Sequence, residues 1–124
     1  MTCPACGSAA PLAARPTPAG LTAIRRRLRY IDRQGRRPEI DLSIPEMAHL
    51  TKVIGANGGR GYAQSQLYNN ENPPASKPRH TFPTAGVAAA YEAVKVAANR
   101  RGWLEAALAS LPDGGRWRRA GDST

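Results

Sequence analysis

Cys3-Pro-Ala-Cys6 is the first stretch of the chain with side chains able to do chemistry. A Cys-x-x-Cys of this kind opens many zinc ribbons. Zinc takes four nitrogen or sulfur ligands in a tetrahedron, and these are the chain's two cysteines. The site must therefore be completed by His49 and His80, by the cysteine pair of a second chain, or by a partner. His49 stands far from Cys6 and makes no His-x₃₋₅-His pair with His80, so a zinc shared between two chains is the metal reading that fits best. It implies a homodimer. The competing readings are two solvent-exposed thiols and a redox dithiol. The dithiol normally follows a buried strand, and here only Met1 and Thr2 precede Cys3.

The second feature is charge. Lys and Arg total 18 against 9 Asp and Glu, a formal +9, which points to a polyanion or an acidic protein face. Residues 25–37 hold arginines at 25, 26, 27, 29, 33, 36 and 37 against Asp32 alone. On a helix Arg25, Arg26, Arg29 and Arg33 share one face, about 100° wide, as a phosphate track requires. Arg36 and Arg37 extend the patch. A second basic cluster closes the chain: Arg116, Arg118 and Arg119, with Trp117 placed to stack on a base. Gln64, Gln66, Asn69 and Asn70 carry the amides that read adenine edges. A helix-turn-helix built on them would need a turn of three or four residues, and "GANGGRG" is longer.

Other chemistries are poorly served. "GANGGRG" lacks the Gly-Lys-Ser/Thr of a phosphate loop and reads as a flexible hinge. His49 falls on the polar side of its helix and reads as a surface residue, and His80 sits in a loop. No carboxylate pair or Ser-His-Asp spacing suggests an enzyme. No apolar run reaches the length of a membrane span. The absence of a secretory signal and the sparse cysteines fit a reducing, cytoplasmic setting.

The elements that must position these groups are mainly α-helical. "GSAAPLAARPTPAG" (7–20) is a Pro/Ala-rich tether. Leu21, Ile24, Leu28 and Ile31 predict a helix over 21–34, stopped by Gly35. Ile40, Leu42 and Ile44 alternate with polar residues, which predicts a short β arm able to pair across a dimer. Ser43 and Glu46 form a capping box for a helix over 44–54, ended by Gly55. Residues 55–83 read as a long Gly/Asn/Pro-rich loop, in which only "YAQSQLYNN" could be helical. Thr84 caps a helix over 85–101 that carries Val87, Tyr91 and Val94. Trp103, Leu104, Leu108 and Leu111 then complete an αα-hairpin.

The expected organisation is a CPAC unit and tether over 1–20, a small helical domain over 21–112 and a basic tail over 113–124, with loosely ordered N- and C-terminal segments. The expected function is a small, basic, non-enzymatic nucleic-acid-binding accessory or regulatory protein of bacterial or phage type, binding DNA or RNA. The alternative is a protein-binding adaptor or inhibitor that docks its arginine face on an acidic protein.

Overall fold

A computed structural model of the chain describes residues 16–76 and 82–111. The expectations for Cys3 and Cys6, for His80 and for the tail with Arg116, Trp117, Arg118 and Arg119 lie outside them. The described residues form a mainly helical fold with one small antiparallel sheet.

Helix α1, Pro18–Arg26, begins inside the expected tether. Thr17 caps it: its side-chain oxygen accepts the amide of Gly20 at 2.9 Å. Pro18 supplies the fixed φ of a first turn, where its missing N–H costs nothing. The helix stops at Arg26, not at residue 34. From Arg27 onward burial alternates: Leu28 and Tyr30 point inward and Arg27 and Arg29 outward. That is the two-residue period of a strand.

Strand β1, Leu28–Arg29, pairs antiparallel with β2, Glu39–Ile40, so that Leu28 faces Ile40 and Arg29 faces Glu39. The expected β arm thus pairs within its own chain. Asp32 builds the turn between the strands. Its Oδ1 accepts the amides of Gln34 and Arg36 at 2.9 and 2.8 Å, and Gly35 takes the left-handed conformation at φ 84°. Gly35 therefore closes a hairpin and not a helix.

Helix α2, Ile44–Val53, starts at the expected capping box: Ser43 N donates to Glu46 Oε1 at 2.8 Å, and Glu46 N to Ser43 Oγ at 3.2 Å. Met47, Leu50 and Thr51 are fully buried, and Ile44 and Ile54 lie at the core's edge. The expected hinge after it is bonded back onto the helix. Ala56 N donates to Thr51 O, Gly61 N to Ala56 O and Tyr62 N to Thr51 Oγ1. Gly61 sits so close to Lys52 that a Cβ would meet its backbone at 2.8 Å. A 3₁₀ turn, Asn57–Gly59, lies within this connection.

The expected long loop also contains α3, Gln64–Glu71, whose Leu67, Asn70 and Glu71 are buried. Helix α4, Ala85–Ala97, has Thr84 as its cap. It ends before the expected residue 101, and residues 98–102 turn into α5, Trp103–Ala109. Helix α1 packs on α3 and α4, while α2 packs on α3, α4 and α5. One core joins them, centred on Leu42, Met47, Leu50, Leu67, Tyr91, Val94 and Leu108.

Candidate nucleic-acid interface

The arginines of residues 25–37 do not share one helix face. They sit on the end of α1, on β1 and around the hairpin turn, and Arg25 points into the protein. Its Nε and Nη2 each donate at 2.8 Å to the two oxygens of Glu71, and Nη1 donates to Leu42 O at 2.6 Å. Tyr91 Oη and Thr22 Oγ1 donate to the same carboxylate at 2.5 and 3.0 Å. Burial pushes the Glu71 carboxyl up, but these hydrogen bonds and the Arg25 charge outweigh it and hold the group below its ordinary range. Glu71 in turn raises Arg25, and burial together with Glu71 pushes the Tyr91 phenol up. With Nε, Nη1 and Nη2 all donating to Glu71 and Leu42 O, the Arg25 guanidinium is committed to the fold.

Most of the other arginines lie at the surface beside carboxylates drawn from elsewhere in the chain. Arg26 meets Asp41 at 3.2 Å, Arg29 meets Glu39 at 3.0 Å, Arg33 meets Glu105 at 3.7 Å and Arg36 meets Asp32 at 2.8 Å. Exposed pairs of this kind contribute little stability, but each cancels much of the local field. Arg27 shares Glu39 at 3.8 Å with three-quarters of its side chain exposed. Arg37 lends its carbonyl to Arg29 Nη1. The Asp32 carboxyl, pushed up by burial, is held down more strongly by the amide and guanidinium of Arg36 and the amide of Gln34.

One place gathers cations without a carboxylate in its lining. A cavity of about 470 Å³ opens between the end of α1, β1 and the last turns of α4. Its lining is apolar at Ala23, Ile24 and Leu28 and cationic at Arg27, Arg29 and Lys95, with the amide of Asn99 beside them. Two backbone bonds pin the strand to the end of α4: Ile31 N donates to Ala98 O and Gly102 N to Ile31 O, both at 2.9 Å. They also occupy a carbonyl of the helix's negative end, which would otherwise face an anion. Glu39 reaches Arg27 and Arg29 from outside the cavity, and among the described residues no ion pair holds Lys95.

The expected base-reading amides are largely committed to the fold. Asn70 is buried; its Oδ1 accepts Thr84 N at 2.6 Å and its Nδ2 donates to Gln66 O at 2.7 Å. Gln66 Oε1 caps the amide of Ala63 at 2.8 Å. Gln64 is exposed and Asn69 half-buried. His49 is not a free surface residue: its Nε2 lies 3.0 Å from Ala107 O and 2.9 Å from Ser110 Oγ, which ties α2 to α5.

Among the described residues no three His, Cys, Asp or Glu side chains gather as a metal site, and no helix is long and apolar enough to cross a membrane. Lys95 and Asn99 are the cavity residues that sequence reading passes over. Lys95 lies in the last turn of α4 and Asn99 two residues beyond its end, so they meet only once the hairpin is known to lie against that end of the helix. Compared with known protein families, curated proteins and solved structures, the chain matches none of them.

Proposed function

We propose that this chain is a small, non-enzymatic nucleic-acid-binding protein whose phosphate contacts come from Arg27, Arg29 and Lys95. The observation that supports the reading is the convergence of these three cations on one cavity with no carboxylate in its lining, in a chain of net +9. Arg26, Arg33 and Arg36 each meet a carboxylate of their own, Arg27 and Arg29 share Glu39, and Arg25 serves the core.

The test is fluorescence anisotropy of labelled oligonucleotides over a salt series. Each phosphate neutralised on a single strand contributes about −0.7 to the slope of log K against log salt. The triple variant Arg27→Ala, Arg29→Ala, Lys95→Ala should therefore bind more weakly and flatten the slope by about 2. Unchanged affinity and slope in a folded triple variant would overturn the proposal. A competing polyglutamate arm reads the alternative partner, an acidic protein face.

A further inference from the structure

We infer that the cavity between α1, β1 and α4 takes one unpaired nucleotide, so that the chain prefers single-stranded nucleic acid to duplex. This rests on the nucleic-acid reading above and adds the kind of ligand.

The first argument is shape. At about 470 Å³ the cavity has the volume of a small-ligand site, in the form of an open recess lined largely by exposed side chains. A duplex presents phosphates on a convex rim and keeps its bases stacked inside. Only a splayed nucleotide can enter a recess of this size.

The second argument is the division of the lining. Ile24 is half-buried and Ala23 exposed, and together with Leu28 they make the apolar part of the lining, which suits the face of a base. Arg27, Arg29 and Lys95 share the lining with these apolar side chains and would take the phosphate of the same nucleotide, Arg29 in exchange for its bond to Glu39. Single-strand sites combine a cationic groove with side chains, most often aromatic, that take the base faces; here aliphatic side chains hold that place. The Asn99 amide offers both a donor and an acceptor to a base edge.

The third argument is electrostatic. Elsewhere on this face arginines pair with Asp41, Glu105 and Asp32, which would repel a continuous phosphate track along the hairpin. At the cavity three cations, Arg27, Arg29 and Lys95, face the single carboxylate Glu39, an excess of charge at one point that favours a local contact over the extended backbone contacts of a duplex.

The experiment uses the full chain and three labelled probes of one mixed sequence: single-stranded DNA, single-stranded RNA and blunt duplex DNA. The inference expects both or either of the single strands to bind about tenfold tighter than duplex. Lys95→Ala should weaken single-strand binding and flatten its salt slope by about 0.7. Asn99→Ala should weaken it by about twofold to tenfold and leave the slope unchanged, because it removes a neutral hydrogen bond. Both side chains are exposed, so thermal melts of the variants should match the parent. Equal binding of single strands and duplex would overturn the inference and leave the nucleic-acid reading standing. Binding of polyglutamate in preference to all three probes, or no binding of any probe, would overturn both. The DNA and RNA arms separate the two sources of an unpaired nucleotide.

Discussion

Arg25 holds Glu71 by two parallel hydrogen bonds of 2.8 Å, joining the last turn of α1 to the last residue of α3 across 46 positions of sequence. The carboxylate is almost completely shielded, with 1 % of its side chain exposed, and Tyr91 and Thr22 take up its remaining lone pairs. Removing one partner strands a charge in the core. Arg25→Ala or Glu71→Ala should therefore cost about 3 kcal/mol or more, read as a drop in the urea midpoint. Arg25→Lys keeps the charge but loses the fork that matches both oxygens, and should fall between parent and alanine variant. A loss no larger than that of an exposed pair such as Arg26–Asp41 would contradict the buried arrangement.

The same cluster sets the response to pH. Glu71 and Asp32 both lie below their ordinary values of 4.5 and 3.8 in the folded protein. A carboxyl depressed by folding stabilises fully above its ordinary value, and that contribution is lost as pH falls through the folded one. Stability should thus hold from neutrality to about pH 5 and decline below it. Tyr91 acts in the opposite direction. Its phenol is raised above the ordinary 10.0, so its contribution is present below that value and lost as pH rises beyond it. Urea midpoints across pH should describe a plateau with two flanks. Tyr91→Phe should remove the Tyr91 share of the alkaline loss, and Glu71→Gln should soften the acid one.

Two glycines in the connection after α2 separate backbone strain from crowding. Gly58 and Gly61 have nearly the same positive φ, 66° and 69°. A Cβ on Gly58 meets open space, whereas on Gly61 it meets the backbone of Lys52 at 2.8 Å. Gly58→Ala should cost about 1 kcal/mol, the penalty of the left-handed conformation alone. Gly61→Ala should cost clearly more, because α2 or the turn must also shift. Paired chemical denaturation curves decide it, and equal losses would mean the close approach is not maintained in solution.

Glu39 is the carboxylate nearest the cavity's cations, 3.0 Å from Arg29 and 3.8 Å from Arg27. Glu39→Gln should release both guanidinium groups, tighten oligonucleotide binding and steepen the salt slope by about 0.7 for each additional phosphate engaged. The stability lost with the cross-strand pair should stay within about 0.2–1 kcal/mol. A variant that gains charge here without gaining affinity would place the binding face elsewhere.

The capped helices were legible because their signals are local. Ser43 and Glu46 are three residues apart and bond to each other, and Thr84 begins the helix that its position announces. Residues 27–34 misled because two periods coincide there. Leu28 and Ile31 fit a helical stripe with Leu21 and Ile24, yet the buried pair is Leu28 and Tyr30. The tyrosine, read with Asp32 and Gly35 as a turn, carries the strand signal. Leu67 and Glu71 went unread in "YAQSQLYNN" and "ENPP" because an isolated leucine and an acid among amides look like loop. What buries them is the packing of α3 on α1 and α2 and, at Glu71, the side chain of Tyr91 in α4. The basic character was plain from composition. Which cations stay free was not, since that depends on where Asp41, Glu39 and Glu105 arrive in space.

Ile31 gives its amide to Ala98 and its carbonyl to Gly102, so the hairpin completes its hydrogen bonding through residues more than half of the chain away. A chain growing from its N-terminus therefore makes α1, the hairpin and α2 long before the anchor for them exists. Closure waits for Gly102 to emerge. Despite its helices, the protein depends on hydrogen bonds between residues far apart in sequence. Its folding speed should be limited by such late encounters rather than by the microsecond formation of its helices.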